Sequence, residues 1–427
     1  MTIQQYIKVA FLWLLYLPIV FITCLIVWVD RKVKFPLFFP RDVAGLAVKQ
    51  EWCISELKKS GALPADAAIL GYRVWALNPE IIFRSNAGVI EIRYRDKAEE
   101  KTLKCFAKFA PTMGSVWNKV IFNLQLNHIK EGNFNQYFVR VDPAIPSPRV
   151  YYSCFSLLGH LCLITELMEG YIEYDLQPIP QAHLDMALDG LAALHARYWG
   201  NSSKQMAKVM PIEDSTVHLF ESMVLLKWSK NARKVLVQSW TYMNGRQTVI
   251  HGDARIGNMM FPPVAGQGRF VFIDWQAVRR GKAMADVSYF LMLSLPPERL
   301  MEVEQACIDA YYDKLAGKGV TGYSRTEARD DYNHGCLCTL VLLSLPLLSG
   351  EVSAEGDAAR IFVWGMGIWR DRMVSKFSSF DYDWMAEKYG MSPQAAQGAV
   401  NEMLEVIGGR LQKMADDSLE ETNKKGE

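Results

Sequence analysis

Ile250–Phe261 reads IHGDARIGNMMF, and a little further on Phe270–Gln276 reads FVFIDWQ. Each stretch sets polar groups against apolar runs. Asp253 and Asn258 stand five residues apart in the first, and Asp274 closes the apolar run of the second. Such short runs, broken by Gly and polar residues, read as small β segments joined by tight loops. An Asp followed five residues later by an Asn can present both side chains to one place, and the acid ending the next strand adds a third oxygen-bearing group. Phosphoryl transfer asks for little more. It needs a carboxylate for the proton of the attacking hydroxyl, hard oxygen ligands for Mg²⁺, and cations on the phosphates. On that chemistry Asp253 takes the hydroxyl proton, while Asn258 and Asp274 are the metal ligands. Arg255 is either a neutralising neighbour or a loop brace; the sequence leaves both open.

The chain has 427 residues, 50% of them hydrophobic, enough for a large core and for two lobes or domains. Lys and Arg number 47 against 46 Asp and Glu, with no long basic block, so charge makes no case for a nucleic-acid partner. The 8 cysteines show no CxxC or metal-finger spacing and read as small buried thiols of a reducing compartment.

Val9–Val29 runs for 21 residues without a charge, long enough to cross a bilayer as a helix. A secretory signal has a shorter apolar stretch and a small-residue cleavage site, whereas DRKVK follows here, Asp30–Lys34. Pro18 is tolerated inside such a helix, and Trp13, Tyr16 and Trp28 suit its interfaces. Lys8 precedes the run and Arg31, Lys32, Lys34 and Arg41 follow it, so the bulk of the chain is expected in the cytosol behind a single membrane anchor. A second apolar run, Cys336–Leu348, has only 13 residues and predicts a buried helix.

Residues 30–66 form a juxtamembrane piece with a short amphipathic helix, Ala47–Lys59, stopped by Ser60-Gly61. Ile69–Trp75, Val89–Tyr94 and Leu103–Phe109 have the alternation and β-branched or aromatic content of strands. Helical spacing follows over 116–138, then a stiff bend at Pro143–Pro148, then strands at Val150–Phe155 and His160–Met168. Beyond Gly170 the pattern is mostly helical. In His183–Trp199 one face collects Leu184, Ala187, Leu188, Leu191, Leu194 and Tyr198. Ser392-Pro393 has the chemistry of a helix start, and the stripe Val400, Met403, Leu404, Ile407, Leu411 and Met414 carries that helix to about Ala415, before a polar tail over 416–427.

HGD, four residues, Asn, then IDW, followed by Ala285–Leu291 (ADVSYFL), resembles the aminoglycoside phosphotransferase and choline kinase group. The chain looks closest to the CHK kinase-like branch that includes the ecdysteroid kinases. LAALHARYW (Leu191–Trp199), AKFAP (Ala107–Pro111) and EGNF (Glu131–Phe134) are similar to that branch's helix, ATP-lysine strand and Glu-bearing helix. The likeness covers roughly 67–415. It implies an α+β, two-lobed protein-kinase-like fold, with a β-rich nucleotide-binding lobe over 67–168 and a helical catalytic lobe over 169–415. It implies ATP and Mg²⁺ as cofactors and a small-molecule alcohol as acceptor, a lipophilic one among the candidates given the anchor. Lys108 would then contact the α- and β-phosphates and pair with Glu131, with Lys104 and Lys101 as rival lysines. Ser85 and Asn86 would lie over the phosphates, and Thr165 and Leu167 would offer backbone groups to adenine.

Some features depart from the pattern. The phosphate loop, Arg84–Gly88 (RSNAG), has a single glycine, and Asp274 precedes Trp-Gln rather than Phe-Gly, which speaks against a protein kinase. His251 is expected to brace its loop, His195 to pack between helices, and Asp286 to bond backbone near the catalytic loop. An alternative stays open: a membrane-anchored pseudokinase that binds nucleotide or a partner without catalysis.

Overall fold

The computed structural model describes residues 18, 21–30, 37–77, 86–110, 126–156, 158–174, 178–200, 228–245, 247–349 and 357–425. The chain divides into two compact units. The first holds the described residues up to Tyr171 together with Val271–Val278; the second holds the described residues from Ile172 to Phe270 and from Arg279 onward.

The first unit is built on five antiparallel strands: β1 (Ala68–Ala76), β2 (Asn86–Asp96), β3 (Glu99–Phe109), β4 (Val150–Ser156) and β5 (His160–Glu166). They lie in the order β1-β2-β3-β5-β4. Two short helices, α1 (Val43–Val48) and α2 (Gln50–Lys59), supply Val43, Leu46, Cys53 and Leu57 to a core shared with Ile90, Ile92, Cys105, Ala107, Phe109, Cys162 and Ile164. The sequence predicts one helix over 47–59, yet the chain breaks at Lys49, whose ammonium donates to the carbonyls of Leu37 and Phe39. Asp42 opens α1 by accepting from the Gly45 N–H at 2.6 Å, and Gly61, at φ 74°, closes α2 as its sequence signal implies. The lone glycine of RSNAG has a packing reason: a Cβ on Gly88 would stand 2.6 Å from the Trp75 carbonyl, on the neighbouring strand.

β3 sends Cys105, Ala107 and Phe109 into that core, so strand alternation turns Lys104, Phe106 and Lys108 to the opposite face. Over that face near Lys108 lies α3 (Asn127–Phe134), which passes directly into a π-turn, Asn135–Val139. A Cβ on Gly132 would sit 2.7 Å from the Phe155 ring, so only glycine lets α3 come this close to β4. The part of the expected helix before 126 lies outside the described residues.

The second unit is mostly helical: α4 (Gln181–Arg197), α5 (Lys230–Met243), α6 (Met284–Ser294), α7 (Pro297–Gly317), α8 (Arg325–Ser349), α9 (Asp357–Ser378), α10 (Tyr382–Tyr389) and α11 (Pro393–Lys425). Small β elements interrupt it. β6 (Ile172–Glu173) pairs with β8 (Met259–Phe261), and β7 (Thr248–Ile250) with β10 (Arg279–Gly281). Leu184, Ala187, Leu188, Leu191 and Leu194 of α4 are buried as their spacing predicts. The run at Cys336 lies within α8, and Cys336, Leu337, Cys338, Leu340 and Val341 are buried. Ser392 caps α11 by accepting from the Ala395 N–H, and Val400, Met403, Ile407 and Leu411 face inward. Helical backbone continues to Lys425, past the expected end near Ala415, through a stretch rich in the helix formers Glu and Lys.

Among the described residues no helix is long and apolar enough to cross a membrane. The span predicted over 9–29 falls largely outside them, although 21–30 is helical.

Candidate active site

Each unit carries a polar cluster at the places the motifs indicate. In the first, Lys108 Nζ donates to Glu131 Oε1 and to Asp274 Oδ1, both at 2.8 Å. Lys108 and Glu131 are 8% and 3% exposed, so this is a buried charge cluster rather than a surface pair. Burial alone penalises the ammonium, but Asp274 and Glu131 outweigh it and hold the lysine pKa above its usual value. For Glu131 burial wins. With Asp274 adding repulsion, it lifts the carboxyl from 4.5 to about 7 against the pull of Lys108 and a hydrogen bond from the Trp275 backbone. One cation thus serves two carboxylates.

Asp274 reaches this cluster by an unusual backbone. It has φ 64° and ψ 69°, a left-handed conformation that Asp tolerates better than most residues, and opens a short 3₁₀ turn, Trp275–Ala277. The turn is pinned from several sides. The short strand β9 (Val271–Phe272) leads into it, with Phe272 N–H donating to the Pro146 carbonyl at 2.7 Å. Trp275 Nε1 donates to Ser147 Oγ at 3.1 Å, and the Phe134 ring lies 4.6 Å from the Trp275 ring. The proline-marked bend at 143–148 therefore positions the Asp274 turn, a role that its sequence does not announce.

The rival lysines are engaged elsewhere: Lys104 with Glu169 at 2.6 Å, and Lys101 with Asp96 at 2.8 Å, both exposed. Asn86 is the first residue of β2, paired with Phe109, and Ser85 lies outside the described residues. Thr165 is flanked by Phe106 on β3 and Val150 on β4, and its hydroxyl donates to the Glu166 carbonyl. Leu167 stands just past the end of β5, its carbonyl accepting from the Glu169 N–H at 2.9 Å.

In the second unit the loop after β7 holds Asp253 and Asn258 together. Asn258 Nδ2 donates to the Asp253 carbonyl at 2.8 Å and to its Oδ2 at 2.9 Å. With both amide protons on Asp253, Oδ1 of Asn258 is the acceptor left for a hard cation. Arg255 Nε stands 3.5 Å from Asp253 Oδ1, which places the guanidinium beside the carboxylate. Gly252 takes φ 80°, the left-handed turn that brings the chain round into Asp253.

The loop is braced by α6. Asp286 accepts from the N–H groups of His251 at 2.6 Å and Gly252 at 2.9 Å. Its other partner is His195 Nε2 at 3.2 Å, and Tyr311 bonds the far side of that imidazole at 2.7 Å. Burial would raise the Asp286 carboxyl; His195, His251 and the Gly252 amide overcome that and hold it below the usual range. His251 Nδ1 accepts from the Asp253 N–H at 3.4 Å. Ser294 Oγ, at the end of α6, accepts from the Ile256 N–H at 3.1 Å. His195, expected merely to pack between helices, is thus the second link in this brace.

The phenol of Tyr289 on α6 is pushed well above its usual pKa by burial and by the Asp253 carboxylate, and Arg279 of β10 donates to Asn244 Oδ1 at 3.0 Å. Among the described residues no group of three or more His, Cys, Asp or Glu could hold a metal. Mg²⁺ does not need one, since it keeps waters and phosphate oxygens and takes one or two protein ligands.

Residues 129–326 match the phosphotransferase enzyme family, APH. The match takes in Glu131 and the Asp253, Asn258, Asp274 and Asp286 segments, and begins after Lys108. No protein of curated function matches the chain in sequence. Similar solved structures include aminoglycoside 2'-phosphotransferase-IIIa as its GDP complex, at 13% identity and TM-score 0.43, covering 77% of this chain and 99% of that one. The Plasmodium vivax ethanolamine kinase follows at 10% identity and TM-score 0.47, with 77% and 87% covered. The choline kinase of Cryptosporidium parvum has 11% identity and TM-score 0.44, with 81% and 98% covered.

Proposed function

We propose that the chain is an ATP- and Mg²⁺-dependent phosphotransferase that moves the γ-phosphoryl group to a hydroxyl of a small molecule. The observation that carries this reading is the buried Lys108–Glu131–Asp274 cluster in a chain whose residues 129–326 match a phosphotransferase family. A lysine fixed by two carboxylates is the cation that nucleotide phosphates need, and Asp274, the more exposed of the two acids, is of the donor type Mg²⁺ takes. When bound, Mg²⁺ would neutralise charge on the phosphates of ATP. In the proposed chemistry Asp253 accepts the proton of the attacking hydroxyl, and Asn258, tied to Asp253 through its amide, offers its oxygen to the metal. Asp286 keeps the loop amides in place throughout.

The membrane is part of the proposal. Phe21, Ile22, Leu25 and Trp28 are all more than half exposed on the helical stretch that ends the uncharged run, which supports an N-terminal anchor with the remainder of the chain cytosolic. A lipophilic alcohol is then a natural acceptor. Extraction from membranes by detergent but not by carbonate is the expected behaviour; release by carbonate would remove the anchor.

The test of activity uses the purified chain with Mg·ATP and a panel of alcohols, following transfer of the γ-phosphate. Asp253→Asn should lower turnover by about two to four orders of magnitude with little change in nucleotide binding. Full activity in that variant would remove Asp253 as the base. Binding of Mg·ATP with no phosphorylated product across the panel would favour the pseudokinase.

A further inference from the structure

We propose that Arg255 is a catalytic residue, its guanidinium donating to the phosphoryl group during transfer. The proposal rests on the reading of the Asp253 loop as the place of that transfer, and it decides between the two roles that the sequence leaves open for this arginine. The loop has a braced side and an open side. Asp286 and Ser294, both buried, take its backbone N–H groups from the interior, and His195 backs Asp286. Asp253 and Arg255 keep 19% and 31% of their side chains exposed, so both stand on the side that a substrate reaches. An ion pair in such a place contributes little to stability, which makes a brace a poor account of Arg255. Its position is set by Gly257. A Cβ there would stand 2.8 Å from Arg255 Nη1, and the next atoms, Arg255 Cζ and the Tyr174 carbonyl oxygen, lie at 3.8 and 4.0 Å. The guanidinium is therefore folded back over the 3₁₀ turn Ile256–Asn258, in room that only a glycine leaves.

That seat puts the guanidinium where the reacting group must pass. Asp253 Oδ2 accepts from the Asn258 amide at 2.9 Å, and the other oxygen, Oδ1, stands 3.5 Å from Arg255 Nε. A hydroxyl about 3 Å from Oδ1 has its phosphorus about 3–3.5 Å further on, so the phosphoryl group comes within about 6.5 Å of that oxygen. The guanidinium starts 3.5 Å from the same oxygen and carries two terminal amino groups beyond Nε, across the same interval. Charge on a phosphoryl group in transit is spread over its equatorial oxygens, and a planar fork of N–H donors fits them better than a point charge does. As the bond from the acceptor oxygen to phosphorus forms and the bond to the ADP oxygen breaks, the hydroxyl proton goes to Asp253 and Arg255 holds the group in passage. A contact made chiefly in the transition state appears in kcat rather than in the binding of ATP.

The test compares binding of ADP with binding of ADP plus aluminium fluoride, a mimic of the phosphoryl group in transit, by calorimetry of the full chain with Mg²⁺. The wild-type protein should bind the mimic at least about a hundredfold more tightly than ADP alone. Arg255→Gln should lose about a hundredfold for the mimic, as for removal of one preorganised donor, with ADP affinity within about twofold and the unfolding midpoint little changed. Arg255→Lys keeps the charge without the fork and should recover only part of the loss. Gly257→Ala perturbs the same contact from the other side. Gly257 lies outside the left-handed region, so the backbone accepts alanine, and the new methyl meets the guanidinium. It should weaken the mimic as Arg255→Gln does, and the double variant should lose nothing more. Full tightness for the mimic in Arg255→Gln overturns the proposal, and so does an equal loss for ADP alone, the mark of a structural role. If the wild-type chain binds ADP and the mimic alike, the phosphotransferase reading falls and this proposal with it. If Asp253→Asn keeps full turnover while Arg255→Gln loses the mimic, the base falls and the phosphoryl contact stands.

Discussion

Replacing Glu131 by Gln tests the charge balance of the lysine cluster. Glu131 is 3% exposed, and its carboxyl is raised from 4.5 to about 7 by burial and by the nearby Asp274. The folded protein therefore binds a proton there more tightly than the unfolded chain does. Stability from this group is fully present below about pH 4.5 and is lost as pH rises through about 7. The rise corresponds to about 3 kcal/mol at about 1.4 kcal/mol per pH unit. Gln keeps the volume and remains polar, but it does not ionise, and it leaves Lys108 paired one-to-one with Asp274. Denaturant unfolding at pH 5 and pH 8 should show the wild-type chain losing about 2.5 kcal/mol more than the variant across that interval. Nucleotide affinity should fall in the variant, since Lys108 loses one of its two supports. Parallel pH dependences in the two proteins would refute the reasoning, because they would mean that Glu131 is not held protonated by its surroundings.

Phe134→Ala removes a fully buried ring that rests on Trp275, so it should destabilise the first unit by about 3–5 kcal/mol and also weaken nucleotide binding through the Asp274 turn; a thermal scan with and without Mg·ATP reads both effects. His334 is buried and bonded to Tyr389 at 2.8 Å, and burial lowers its pKa from 6.5 to about 4 against the pull of Asp331 and Asp330. The stability it lends is present above pH 6.5 and lost as pH falls toward 4, so His334→Gln should flatten the acid side of the unfolding profile by about 3 kcal/mol.

The helical faces of α4 and α11, the apolar run of α8 and the strands around Lys108 were legible because their periodicity is a direct image of burial. The loop residues Asp253 and Asn258 were legible for a different reason: a fixed five-residue offset in a tight loop puts them in contact. Spacing could not reveal that Asp274 reaches Lys108 through a left-handed turn set by Phe134, Pro146 and Ser147, because that support is long-range in sequence. The break between α1 and α2 was hidden for a similar reason: Lys49 leaves the helical register to serve the Leu37 and Phe39 carbonyls, a tertiary demand that propensity does not register.

The most direct measurement follows phosphorylated small molecules, without choosing them in advance, in extracts incubated with Mg·ATP and either the wild-type chain or Asp274→Asn. The account predicts at least one alcohol whose phosphate ester forms with the wild-type protein and not with the variant. Identical sets of phosphorylated products from the two proteins would contradict it.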